Sequence, residues 1–189
     1  MPTDFLSFDG LREGTPRQRQ ACAALSDLRI AEKLAACRPV LCGTIPIDID
    51  IDSSDLDLIC QAPDPGGFIA DMTDHFGDRP AFSARTVIRD GLPTAIVRFR
   101  HGVFDVELFA QDRPAGEQRA SRHMIIEARL LELGGTDTRT AIRALKQGGL
   151  KTEPAFGAYF NLPGDPYETL LRLYNLDDAA LRTTLNELA

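Results

Sequence analysis

Cysteine is scarce in this chain and never paired at close spacing. Cys22, Cys37, Cys42 and Cys60 contain no CxxC, which argues against a zinc knuckle or disulfide framework and for thiols in a reducing compartment. His75, His101 and His123 have no metal-ligand spacing. P-loop, dinucleotide fingerprint and nucleophile elbow are all missing. No stretch approaches the ~20 apolar residues of a membrane span, and the segment MPTDFLSFDGLREG lacks the basic and apolar regions of a signal peptide. These absences point to a cytoplasmic protein with no membrane partner. Positive charge is in deficit, with 21 Lys and Arg against 28 Asp and Glu. The resulting net charge of −7 disfavours a large nucleic acid as partner, although a local basic cleft stays open. The same charge suits a site for divalent cations, which offset carboxylates.

What is present is an ordinary globular composition, 43% hydrophobic and 26% charged, in a length that fits one catalytic domain with a helical extension. Thr15-Pro16 marks a helix start, and Ala21, Leu25, Leu28 and Leu34 extend an amphipathic helix to about Ala36. Pro39–Cys42 reads as a buried strand ending at Gly43. The alternation of Ile47, Ile49 and Ile51 with Asp48, Asp50 and Asp52 predicts a half-buried extended segment whose aspartates form a solvated face. Asp55–Cys60 reads as a strand, followed by a helix of about ten residues carrying Phe68, Ile69, Met72 and Phe76. Three strands come next, over 82–89, 94–100 and 103–109, with Asp90-Gly91 as a hairpin turn. Beyond Pro114 the pattern is helical: a long helix over 115–133, another over 137–148, and further helices over 154–160, 166–174 and 177–188. The expected fold class is α/β, a mixed sheet flanked by helices with a helical C-terminal part. The expected boundary separates an α/β core over 1–112 from a helical part over 113–189 that lines a cleft.

Three segments carry chemistry together. Leu41-Cys42-Gly43-Thr44 runs a strand into a glycine, which lets backbone approach a phosphate, and a hydroxyl, which can hydrogen-bond one. In Ser54-Asp55-Leu56-Asp57-Leu58 the two aspartates share one strand face. Their carboxylates repel unless a cation lies between them, and hard oxygen ligands on a rigid element suit Mg²⁺. In Phe104-Asp105-Val106-Glu107-Leu108-Phe109, Asp105 and Glu107 again share a face. Either could supply the third acid of a two-metal arrangement that activates a hydroxyl and neutralises a leaving phosphate. Glu107 is preferred because Val106, Leu108 and Phe109 place it deeper in the strand, with Asp105 in reserve.

The combination of a strand ending in Gly-Thr, an acid pair beginning twelve residues after the glycine, and a later acid on another strand resembles the DNA polymerase beta-like nucleotidyltransferase superfamily. More narrowly, GTIPIDIDIDSSDLDLIC, FDVELF, RHMIIEARLL and LKQGGLKTEPAFGAYFNLPGDPYETLL resemble an uncharacterised bacterial domain-of-unknown-function family within it. The resemblance implies a nucleotidyltransferase fold and an NTP bound with Mg²⁺ (or Mn²⁺). It implies Asp55 and Asp57 as metal ligands, Glu107 as the third acid, and Gly43 and Thr44 as phosphate contacts. Thr44 stands where the superfamily usually has Ser, and the acidic alternation between Gly43 and Asp55 is a further departure. The implied activity is transfer of a nucleotidyl group to an unknown hydroxyl or phosphate acceptor. The alternative is a non-catalytic nucleotide-binding or regulatory module of the same fold.

Other polar residues carry two readings. Arg119, Arg122 and His123 share a helix face, either toward a triphosphate or toward solvent with ion pairs to Glu117 or Glu127. Lys146 and Lys151 flank Gly148-Gly149 and read as surface lysines that could reach phosphates. Arg122 and Lys151 are retained as candidate nucleotide contacts. Lys151-Thr152-Glu153-Pro154 marks a helix start with an acid in the first turn.

Overall fold

The computed structural model describes residues 8–188 and divides the chain into two units. The first runs through Pro46 and resumes over Ser54–Ser121. The second comprises Ile47–Ser53 and the residues from Arg122 onward.

In the first unit the Thr15 side chain and Gln18 form a reciprocal capping box at the start of helix α1 (Pro16–Asp27). The continuous helix expected to about Ala36 is broken. Arg29 is left-handed (φ 56°), a four-residue helix α2 (Ile30–Lys33) follows, and Ala35–Cys37 is a 3-10 turn. At about 100° per residue, Leu34 would lie roughly opposite Leu25 on one continuous helix. The break resets the phase, so Leu25, Leu28, Ile30 and Leu34 are all buried.

Five strands form one mixed sheet in the order β1-β2-β5-β4-β3: β1 (Val40–Cys42), β2 (Leu56–Gln61), β3 (Ser83–Arg89), β4 (Leu92–His101) and β5 (Phe104–Gln111). Only β2 and β5 run parallel. The β3–β4 hairpin turns on Asp90 and Gly91, both at positive φ, the pattern of a type I′ turn. One sheet face is apolar. Leu56, Leu58, Val97, Phe99, Val106 and Leu108 belong to a core shared with α1 and with α3 (Pro65–Phe76), where Phe76 stacks on Phe99 at 4.7 Å. This packing leaves the other face for Asp57, Glu107 and Arg98.

The helix expected from Ala115 begins later. Ala115–Glu117 is a 3-10 turn, Gln118 is extended, and α4 spans Arg119–Gly134. The reason is tertiary: the buried Gln118 amide donates to the carbonyls of Cys60 (2.7 Å) and Arg113 (3.0 Å).

The second unit continues with the helices α5 (Thr136–Gln147), α6 (Thr152–Tyr159), α7 (Pro166–Tyr174) and α8 (Asp178–Leu188). The isoleucine–aspartate alternation is not a strand. It forms turns, with Asp48 left-handed at φ 58°. Burial still alternates, since Ile47 and Ile49 are buried. Asp48 does not lie on a solvated face: it is half-buried, and the Arg143 guanidinium of α5 donates to both its carbonyl and its carboxylate. One helical turn further on, Lys146 donates to the Ile49 carbonyl at 2.7 Å.

Candidate active site

Strand β1 ends at Gly43, whose φ of +82° lies in the left-handed region. A β-carbon there would come within 2.6 Å of the Asp57 Oδ2 atom. Glycine is therefore needed both for the turn and for room beside the acid. Thr44 follows, and its hydroxyl meets that of Ser54 at 3.0 Å, tying together the two ends of the intervening segment.

Strand register assembles the acids. Asp57 lies opposite Cys42 on one side and Glu107 on the other, and Glu107 lies opposite Arg98. The row reads Cys42, Asp57, Glu107, Arg98 across four strands. Asp55, just before β2, is exposed, and its carboxyl is hydrogen-bonded to that of Asp57. Burial, joined by the charges of Asp55 and Glu107 and opposed by that of Arg98, pushes the Asp57 carboxyl up to about 8. Arg98 is ion-paired with Glu107. Asp105 lies two residue pairs further along, on the same face, and binds Arg100 at 3.0 Å.

Among the described residues no three His, Cys, Asp or Glu side chains are gathered closely enough to hold a metal ion by themselves. The donor chemistry nevertheless fits Mg²⁺, which takes one or two carboxylates and fills its shell with water and phosphate oxygens. A carboxylate kept protonated by burial and two like charges is the group a dication would relieve. Asp55 and Asp57 are the residues that could hold it.

Several residues around this cluster escaped the sequence reading. Gln18 uses its whole amide: Oε1 accepts from the Thr15 N–H at 2.9 Å, and Nε2 donates to the carbonyls of Ile45 (2.9 Å) and Pro46 (3.2 Å). It thereby fixes the loop leaving Gly43-Thr44. Its one sequence signal is its place three residues after Thr15, the capping-box spacing. Arg17 donates to the Ser54 carbonyl at 3.4 Å and lies over the Phe104 ring. Arg98 had no local signal, because only register puts it beside Glu107.

In the second unit Arg122 lies over the Tyr174 ring, 5.7 Å from its centre, and its Nε atom has no hydrogen-bond partner. Lys151 is exposed at the start of α6. His123 is buried, with Nε2 donating to the Tyr167 carbonyl (3.0 Å) and Nδ1 3.4 Å from Glu153. Glu127, one turn along α4, is fully enclosed. Burial pushes its carboxyl up to about 8, with Glu153 adding to the rise and Lys146 opposing it. Arg119 belongs to the first unit and faces Asp90 at 3.9 Å.

This mixed sheet, flanked by helices and carrying acids at matching heights on parallel strands, has the nucleotidyltransferase fold. The Cid1 poly(U) polymerase bound to MgGTP matches it with a TM-score of 0.54 at 13% identity, over 88% of this chain and 53% of that one. A cytoplasmic RNA terminal U-transferase matches at 0.53 and 13%, over 88% and 50%. The GLD-2/RNP-8 complex matches at 0.53 and 12%, over 96% and 81%. The chain thus spans about half the length of the first two. By sequence it belongs to the family described as domain of unknown function DUF4269, matched over residues 23–173. No curated protein matches it significantly. Among the described residues no helix is long and apolar enough to cross a membrane.

Proposed function

We propose that this protein transfers a nucleotidyl group from a nucleoside triphosphate to a hydroxyl or phosphate acceptor in the presence of Mg²⁺ (or Mn²⁺). The observation that carries the reading is the register of Asp57 beside Glu107, with Asp55 hydrogen-bonded to Asp57 and Gly43 packed against its carboxyl. Gly43 and Thr44 bind phosphate oxygens through backbone N–H and hydroxyl. Asp55 and Asp57 hold the cation, which when bound neutralises charge on the triphosphate. An acceptor oxygen forms a bond to the α-phosphorus, the α–β anhydride bond breaks, and pyrophosphate leaves. For a hydroxyl acceptor the proton passes to Glu107, which Arg98 holds in place.

A thermal-shift panel with ATP, GTP, CTP and UTP, with and without Mg²⁺, tests this reading. Ligand at 100 times its dissociation constant stabilises by about 2.7 kcal/mol. The expected result is a Mg²⁺-dependent shift with at least one nucleotide that disappears in Asp55→Ala/Asp57→Ala. A shift that survives the double substitution would remove the acid pair from the site.

The Arg98–Glu107 ion pair favours a second reading, a module that binds the nucleotide without turning it over. Pyrophosphate release separates the two. Pyrophosphate release that stops in Glu107→Gln identifies the enzyme; nucleotide binding with no release whatever acceptor is supplied identifies the module.

A further inference from the structure

A cavity of about 760 Å³ opens in the first unit, walled by α1, α2, the start of β1 and the Pro114–Gly116 segment. Its size is within the range of small-molecule sites, about 300–1,000 Å³. The floor is apolar, formed by Leu25, Ile30, Pro39 and Val40. The rim is cationic. Arg12, Arg29 and Arg38 line it; among the described residues the one carboxylate on it is Glu32, which is taken by Arg29. Arg38 has no side-chain partner among the described residues. A basic rim is unexpected on a protein of net charge −7, where chance placement would favour carboxylates.

The backbone adds a second observation. Arg29 and Arg38 are both left-handed, at φ 56° and 46°, a conformation that costs an ordinary residue energy and persists where the surroundings impose it. Both line this cavity, Arg29 just before α2 and Arg38 just after the 3-10 turn Ala35–Cys37. The two strained positions bring their arginines to the same opening.

We propose that this cavity is a binding site for a small organic anion, a phosphate or carboxylate carried on an apolar body. The body lies on Leu25, Ile30 and Val40, and the anionic group meets Arg38. The site is separate from the acid cluster. Val40 pairs with Ile59, whereas Asp57 pairs with Cys42 at the other end of β1. The two are nevertheless connected through β1, which runs from the cavity wall to Gly43. A second link runs from the cavity-lining Ala115, whose carbonyl accepts from the Ser121 hydroxyl (2.7 Å), to the Cys42 thiol, 3.3 Å from that hydroxyl. The proposal does not depend on nucleotidyl transfer.

Fluorescence titration with 8-anilinonaphthalene-1-sulfonate, a sulfonate on an aromatic body, tests it on the full chain. Saturable binding at one site is expected, weakened about tenfold or more by Arg38→Glu and by Ala35→Trp, which places an indole at the exposed cavity wall. The neutral analogue N-phenyl-1-naphthylamine should bind about tenfold more weakly than the sulfonate. Asp55→Ala/Asp57→Ala should bind the dye as the wild type does, which keeps this outcome distinct from that of the nucleotide panel. Displacement by phenyl phosphate or by benzoate then tells which anionic group the rim prefers. Melting curves of both cavity variants, within a few degrees of wild type, establish that they fold. No saturable binding, equal affinity for the neutral analogue, or undiminished binding in both folded variants would overturn the proposal.

Discussion

A methyl group on Gly43 probes the site at its tightest point. It would force a left-handed backbone on a residue with a β-carbon and push Asp57 aside. Gly43→Ala is expected to lose about 1–2 kcal/mol of stability and the Mg²⁺-dependent nucleotide shift together, read from urea melts and the thermal panel. Asp57 itself should behave in the opposite sense. Its folded carboxyl is raised from 3.8 to about 8, so the folded state keeps a proton that the unfolded chain releases. The associated stability is therefore complete below about pH 4 and is lost as pH rises through 8. Asp57→Asn removes that loss. Without divalent cation, this variant should melt at or above the wild-type temperature near pH 8 while failing to bind Mg²⁺-nucleotide. A variant that melted lower across the whole range would show that the carboxyl is needed for folding rather than tolerated for binding.

At the level of elements, legibility followed locality. The Asp90-Gly91 hairpin could be read because both turn residues carry their own conformational preference, and the acid pairs because side chains two apart on a strand share a face. The break at Arg29 could not, since neither glycine nor proline marks it; burial of Ile30 and Leu34 imposes it. Nor could the late start of α4, which depends on Gln118 reaching the Cys60 carbonyl, far away in sequence. The Ile47–Asp52 alternation reported burial correctly and backbone conformation incorrectly, because turns pinned by Arg143 and Lys146 can bury alternate residues as a strand does. For the candidate site, Asp57 and Glu107 were visible as motifs, whereas Arg98, which pairs with Glu107, and Gln18, which fixes the loop after Thr44, arrive from elsewhere in the fold. Gln18 carries a prediction at this scale. Gln18→Ala removes half of a capping box and a buried donor to the Ile45 carbonyl, and should cost about 1–3 kcal/mol in urea unfolding. Gln18→Glu, which keeps the cap acceptor but cannot donate to the carbonyl, should recover only the capping part.

Over the whole molecule, the second buried acid makes pH a shared variable. Glu127 in the helical unit is raised from 4.5 to about 8, so it too loses stability as pH rises across that window, at up to about 1.4 kcal/mol per pH unit. Glu127→Gln should match wild type near pH 4 and exceed it near pH 8 in calorimetry, with Asp57 intact. An unchanged difference at both pH values would mean that the carboxyl is ionised in the fold.

The chain passes from one unit to the other three times, after Pro46, after Ser53 and after Ser121. Seven residues that look like a loop between two strands are thus structural members of the helical unit, held there through Asp48 and Ile49. The two units are consequently not exchangeable modules. A fragment ending at Ser121 would carry Asp48 and Ile49 away from the helix that pins them, and gene fusion or domain shuffling at that junction would separate the segment from its anchor. Insertions at this acid-rich, turn-forming stretch, which by composition should be as permissive as any surface loop, would disturb both units at once.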